Sequence, residues 1–290
     1  MAEIGIPVLD SPKRIAVRSE IRRIACRGGE LAVEVGGKGP PVVLIHGWAV
    51  DRRMWAHQLT ALRRRFTTIT YDRRGSGQSS APSDMRLELD DLDAILDELK
   101  LAVASLVGMS QGGRIALRYA LSRPARVGAL IVQGSPLDDC EPPAGDPTVP
   151  PLARYTRLWR QGLKQTLVQE LAAHPLMNAG SQFVSVQAEI GAMLSDYRCE
   201  DLMDGQTAAA VAQPLTSTQL PQVESPTLVI TGSEESLWLR RAADRTARRI
   251  YAARRRVIRG GGHFVNMTHP SDFNPCVVEF LIGVTQTWRS

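Results

Sequence analysis

No apolar run in this 290-residue chain approaches the ~20 residues that a bilayer-spanning helix needs. Met1 to Lys13 lacks the basic start and apolar core of a secretory signal. A cytoplasmic protein with a short irregular extension over residues 1–20 is therefore expected. Cysteine is sparse: Cys26, Cys140, Cys199 and Cys276 lie far apart, with no C-x-x-C spacing. That argues against structural zinc and a thioredoxin-like pair, and for free buried thiols in a reducing compartment. No H-E-x-x-H or other metal spacing occurs, no G-x-G-x-x-G opens a helix after the first strand, and there is no Walker-type lysine. Neither a metal nor a cofactor is expected. Lysine is confined to Lys13, Lys38, Lys100 and Lys164, so arginine carries most of the positive charge behind the net +5. The arginines fall in small clusters, among them Arg73-Arg74, Arg248-Arg249 and Arg254 to Arg256. They are spread over many elements and mostly balanced by acidic residues. Solvated helix faces explain them better than a nucleic-acid surface does.

What is present is an ordinary globular composition, 43% hydrophobic and 22% charged, enough for a sizeable core. Ile21 to Cys26 and Glu30 to Val35 flank Gly28-Gly29 and read as a β-hairpin. Pro41 to Ile45, Phe66 to Tyr71, Ala102 to Val107 and Val127 to Val132 are apolar runs of strand length. Helical patterns at Arg53 to Arg64, Leu87 to Leu99 and after Ser110 alternate with them, which implies a mostly parallel sheet flanked by helices. The alternation breaks at Asp138 to Val149, a Pro-, Asp- and Gly-rich linker. Helical segments follow near Tyr155–Ala173 and Val184–Tyr197. Strand signals resume at Pro226 to Thr231 and Arg256 to Ile258, and a helix over Phe273 to Val284 closes the chain. Residues 21–136 and 221–290 thus read as one α/β core, and 137–220 as a helical cap inserted after the sixth strand. Such an insertion would lie over the carboxyl ends of the strands, where open α/β sheets bind ligands.

The most telling stretch is Gly108-Met109-Ser110-Gln111-Gly112, set between a strand and a helix. A Gly-x-Ser-x-Gly there is a nucleophile elbow, a tight turn that lifts a serine hydroxyl above the sheet. The flanking glycines are required because a Cβ at either position would collide with the neighbouring strand or helix.

Together with His46-Gly47, Asp72-Arg73-Arg74-Gly75-Ser76-Gly77-Gln78-Ser79 and Gly261-Gly262-His263-Phe264, in that order, this elbow makes the chain resemble the α/β-hydrolase superfamily from about Ile21 to its C-terminus. The resemblance implies an α/β-hydrolase fold and a Ser–acid–His triad. Ser110 is the expected nucleophile. His263 is the expected base, since of the five histidines it alone follows a strand and a glycine cluster. His46 is expected to be structural and His57 to be surface or core. His174 could line a pocket, and His269 resembles a helix start. The acid is expected at Glu235, three residues past Gly232, with Glu234 as its rival and Asp138 or Asp139 as more distant ones. The superfamily's oxyanion hole maps onto the backbone N–H groups of Trp48 and Gln111. The turn from Asp72 to Ser79 is expected to be structural, with Asp72 and Arg73 making local hydrogen bonds.

These residues imply hydrolysis of a carboxylic ester or lactone through an acyl-enzyme on Ser110. A pocket for an apolar moiety would be built from Trp48, Met109, Tyr155, Trp159 and Phe264. The His46-Gly47-Trp48 and Tyr71 to Gly75 segments are also similar to those of cofactor-free haloperoxidases, which act as perhydrolases and aryl esterases. The elbow departs from theirs at Met109 and Gln111. Carbon–carbon bond hydrolases share the triad, and a non-catalytic ligand receptor shares the fold. Serine at 110 excludes the carboxylate-nucleophile branches. The expected partner is a small molecule, with neither nucleic acid nor membrane involved; a homodimer is left open.

Overall fold

The computed structural model describes residues 19–202 and 214–287. Most of the 1–20 extension and residues 203–213 of the 137–220 segment lie outside that range. The core is an eight-stranded sheet in the order β1-β2-β4-β3-β5-β6-β7-β8. β1 (Ser19–Cys26) and β2 (Gly29–Gly37) form the expected antiparallel hairpin. β2 also pairs antiparallel with β4 (Thr67–Tyr71). From β4 onward every pairing is parallel, through β3 (Pro41–Ile45), β5 (Ala104–Met109), β6 (Val127–Gln133), β7 (Thr227–Gly232) and β8 (Ala253–Ile258).

β5, β6 and β7 are buried along their whole length, which is why they read as continuous apolar runs and not as alternating ones. Successive side chains point to opposite faces and feed two separate cores. Val43, Ile45, Leu106, Leu130 and Val229 pack with helices α2 (Glu88–Glu98), α3 (Gln111–Ser122) and α7 (Leu237–Arg249). Val42, Leu44, Val107, Ile131 and Ile230 pack on the other side, with α1 (Ala56–Leu62) and α9 (Pro270–Thr287).

Between β6 and β7 lie α4 (Leu152–Arg160), α5 (Lys164–Ala173) and α6 (Val184–Asp196). Their buried residues Tyr155, Leu158, Leu171, Ile190 and Leu194 belong to the same apolar cluster as Ala49, Met109 and Phe264. The helices therefore share a core with the face of the sheet that carries the elbow. Polar ties add to this: Arg53 to Asp196 at 2.7 Å, His57 Nε2 to Glu189 at 2.8 Å, and Arg198 to the Ser79 carbonyl at 2.8 Å.

Several boundaries differ from the sequence reading. The helical stretch expected near Tyr155–Ala173 is divided in two, because Gly162 adopts a left-handed φ of +73° and ends the first helix. The segment from Arg52 to Trp55 is a 3-10 turn capped by Asp51, and only then does α1 begin. β8 starts at Ala253, earlier than its apolar residues suggest, because it is the edge strand and its arginines face solvent. The last helix is longer than expected and is preceded by the short α8 (Val265–Thr268). All four cysteines are free, Cys140 and Cys199 buried and the other two partly so.

Candidate active site

β5 ends at Met109, and α3 begins at Gln111. Ser110 joins them at φ 52°, ψ −117°, a conformation that L-residues rarely adopt. The turn is possible only because its neighbours lack side chains. A Cβ on Gly108 would lie 2.4 Å from the Gly112 carbonyl oxygen, and one on Gly112 would lie 2.2 Å from that of Ile45. Ser110 N donates to the Gln133 carbonyl at 2.7 Å, which pins the elbow to β6.

His263 and Glu235 meet beside β6. His263 Nδ1 and Glu235 Oε2 are 2.7 Å apart, and both residues are buried. Glu235 Oε1 accepts the main-chain N–H of Ser236 at 2.8 Å. Glu234 points elsewhere: it is exposed and accepts from the Ser233 hydroxyl at 3.0 Å. The more distant rivals are also occupied, Asp138 by Arg114 and Leu215 N, and Asp139 by Ser217 and Arg245.

Gly134 and Gln133 were not singled out from the sequence. Gly134 has φ +55°, and a Cβ there would lie 3.0 Å from Glu235 Oε2 and 3.1 Å from His263 Nδ1. Its bare backbone makes room for the pair. Buried Gln133 donates from Nε2 to the His263 carbonyl at 2.8 Å. Nothing in a lone Gln at a strand end signals this, since the partner lies 130 residues away.

The loop after β3 runs over the elbow: a Cβ on Gly47 would come within 2.7 Å of Met109 Sδ and 3.5 Å of Ser110 Cβ. His46 braces it from within. Its Nδ1 donates to the Gly47 carbonyl at 2.8 Å, and its Nε2 accepts Arg73 N at 2.9 Å. Each partner has only one role, so the tautomer is determined. Complete burial, with Arg73 adding to it, lowers its pKa to about 3, so the ring stays neutral. Gln111, as the first residue of α3, has a backbone N–H without an intrahelical acceptor.

Arg73 reaches farther than a local turn. It donates to Glu88 Oε1 at 3.0 Å from Nε and to Gln111 Oε1 at 2.6 Å from Nη1. Asp72 accepts Arg52 N at 3.0 Å and Gln78 N at 2.8 Å. Arg74 pairs with Asp91 at 2.6 Å. Arg73 and Arg74 are thus buried ion-pair partners and not solvated charges, because the turn that holds them folds back over α2.

The Trp48 indole is partly buried and already engaged. Its Nε1 donates to Asp201 at 2.6 Å and approaches the Tyr197 hydroxyl at 3.0 Å. Its ring stacks on Tyr155 with centroids 6.5 Å apart and meets Tyr197 edge-on at 6.1 Å. Phe264 sits edge-on to the His263 ring at 5.7 Å. Met109 is buried beside the elbow, and Trp159 packs partly buried on the same cluster. Of the other histidines, His174 caps the turn at Pro175–Met177, and His269 precedes α9 and meets Phe183 edge-on. Among the described residues no group of His, Cys, Asp and Glu side chains is arranged to hold a metal ion, and no helix is long and apolar enough to cross a membrane.

Sheet order, elbow and buried imidazole–carboxylate pair together define an α/β hydrolase. Residues 40–270 match the family described as the alpha/beta hydrolase fold, and the chain belongs to that family. It is 30% identical over 84% of its length to a Synechocystis sp. protein with the provisional name non-heme chloroperoxidase, covering 92% of that protein. It is 26% identical over 82% of its length to a Caulobacter segnis protein provisionally named as the carbamate hydrolase RutD, covering 95% of it. Among solved structures it resembles a thermophilic esterase from Thermogutta terrifontis, with a TM-score of 0.76 and 25% identity over 91% of this chain and 99% of that one.

Proposed function

We propose that this protein is a serine hydrolase that cleaves a carboxylic ester or lactone. The observation that carries this reading is the His263–Glu235 pair, 2.7 Å apart, in a fold whose elbow holds Ser110 at φ 52°. With Nδ1–H donated to Glu235, the other imidazole nitrogen is the proton acceptor. It takes the Ser110 proton as Oγ adds to the substrate carbonyl. The Trp48 and Gln111 backbone N–H groups receive the oxyanion. Collapse expels the alcohol, which takes its proton from His263. Water, deprotonated by His263, then releases the acid and restores Ser110. Glu235 keeps the imidazole in one tautomer and offsets its transient charge. In this reading 137–220 is the cap over the 21–136 and 221–290 core, and Trp48, Met109, Tyr155, Trp159 and Phe264 accept an apolar moiety.

The test is a panel of p-nitrophenyl acetate, p-nitrophenyl butyrate, a γ-lactone and an aryl carbamate, on wild type and Ser110→Ala. Ester or lactone turnover that falls by a factor on the order of 10³ or more in the variant is expected. Near-wild-type activity in Ser110→Ala overturns the assignment, and turnover confined to the carbamate reassigns the substrate. Labelling of Ser110 by a fluorophosphonate without steady-state turnover favours a ligand receptor. The similarity to the chloroperoxidase-named protein favours one second outcome: hydrogen peroxide in place of water attacks the acyl-enzyme and yields a peracid. Added peroxide and acetate would test it directly.

A further inference from the structure

Asp201 is a carboxylate that the proposed mechanism does not use. It lies in the 3-10 turn Glu200–Leu202, just after α6, and is partly buried. Burial pushes its pKa up, against the opposing pull of the Tyr197 and Trp48 hydrogen bonds and of Arg73 nearby. Burying a carboxylate is costly, and it persists where its partners are held rigidly. Those partners are few and specific. Oδ2 accepts the Trp48 indole N–H at 2.6 Å, and Oδ1 accepts the Tyr197 hydroxyl.

The second observation concerns the backbone. Ala49, directly after Trp48, has φ +61°. A left-handed alanine costs on the order of 1 kcal/mol or more and persists only where its surroundings over-determine it. On the sheet side the loop is held by His46, which bonds both the Gly47 carbonyl and Arg73 N, and by Arg73 Nη1, which reaches the same carbonyl at 3.4 Å. Those contacts stop at Gly47. The chain is next tied to the sheet side at Arg52, whose N–H donates to Asp72 at 3.0 Å; between Gly47 and Arg52 the described polar tie is the indole of Trp48, held from the segment between β6 and β7 by Asp201.

We infer that Asp201 is a positioning residue for the oxyanion loop: by clamping the Trp48 indole it aims the Trp48 main-chain N–H at the carbonyl oxygen of the substrate. This rests on the hydrolase reading above. The side chain of Trp48 is thereby a lever on its own backbone as well as a wall of the pocket. A second consequence is that the oxyanion donors are held from two places: Gln111 by the core, through Arg73, and Trp48 by the helical insertion. Tyr197 completes the clamp by donating to the oxygen that Trp48 leaves free.

The test is a double-mutant cycle on p-nitrophenyl acetate, a substrate too small to need the rest of the pocket. Asp201→Ala and Trp48→Phe should each lower kcat by about 10- to 100-fold, less than outright loss of an oxyanion donor, with KM within about threefold of wild type. Trp48→Phe keeps an aromatic ring and the backbone N–H and removes the clamped donor together with the pyrrole half of the indole. The double variant should be no slower than the slower single one, because both remove one interaction. Asp201→Asn, which still accepts one hydrogen bond, should recover to within about fivefold of wild type. Additive losses in the double variant overturn the inference, as does a raised KM with kcat retained, which would make Asp201 a substrate-binding group. If Asp201→Ala does not fold by circular dichroism, Asp201→Leu, of similar size but unable to accept a hydrogen bond, replaces it in the cycle with the same criterion. A wild type active on the ester, a Ser110→Ala variant inactive on it and an additive cycle overturn the clamp alone. An inactive wild type or an active Ser110→Ala variant overturns the hydrolase reading and the clamp with it.

Discussion

Gln133 holds His263 by its backbone: the Gln133 side-chain amide donates to the His263 carbonyl at 2.8 Å, while the Gln133 carbonyl receives Ser110 N at 2.7 Å. One residue at the end of β6 thus fixes the main chain of both the proposed nucleophile and the proposed base. Gln133→Leu leaves the strand intact but frees the His263 loop. A fall in kcat of roughly 10- to 100-fold is expected, with KM little changed, since the tie aligns the base and does not touch the substrate. Steady-state kinetics on a short p-nitrophenyl ester would measure it. An unchanged kcat would mean the loop needs no such tie.

Glu235→Gln should lower kcat by about 10³- to 10⁴-fold, as expected when the group that orients an imidazole is replaced by a near-isostere of the wrong hydrogen-bond type. Glu234→Gln, on an exposed carboxylate, should stay within about twofold of wild type. Kinetics of the two variants side by side separate the adjacent glutamates. A larger loss at Glu234 would reverse the assignment.

Ser110→Gly should abolish turnover yet raise the unfolding free energy by on the order of 1 kcal/mol, because glycine tolerates the φ 52°, ψ −117° that serine is forced into. Urea denaturation of wild type and variant measures the difference. Equal or lower stability in the variant would mean that the elbow stores no strain.

Arg73→Met leaves Glu88 as a buried carboxylate without its guanidinium and should cost about 3–5 kcal/mol. Arg73→Met combined with Glu88→Leu should recover much of that stability. It should not recover kcat, because the Arg73 guanidinium also donates to Gln111 Oε1 and reaches the Gly47 carbonyl, contacts that methionine cannot make. Denaturation and kinetics on the same pair of variants separate the two roles.

His46 makes the fold acid-sensitive in a predictable direction. Its folded pKa, about 3, lies below its ordinary 6.5. Between those values the unfolded chain binds a proton that the native ring does not. Stability therefore falls as pH drops through this window, by about 1.4 kcal/mol per unit for this group, and the effect is absent above it. His46→Gln should flatten the slope of unfolding free energy against pH by about one proton between pH 4 and 6. Urea midpoints across that range would show it, and an unchanged slope would mean that the ring is protonated in the native state.

The sequence alone determined what depends on local periodicity and spacing. Continuous apolar runs announced β5, β6 and β7 because those strands are buried on both faces. Gly108 and Gly112 announced the elbow because no side chain fits there. The order of Ser110, Glu235 and His263 followed from motif position. The tertiary structure decided what depends on distant approach. It put the expected Glu235, and not its neighbour and rival Glu234, against the imidazole. It brought Gln133 to His263, Arg73 to Gln111 and Asp201 to Trp48, pairs separated by 130, 38 and 153 residues. No periodicity encodes such pairs, because each forms only when segments distant in the chain converge at the carboxyl edge of the sheet. The elbow is a property of a few consecutive residues; the apparatus that aims it is a property of the folded chain.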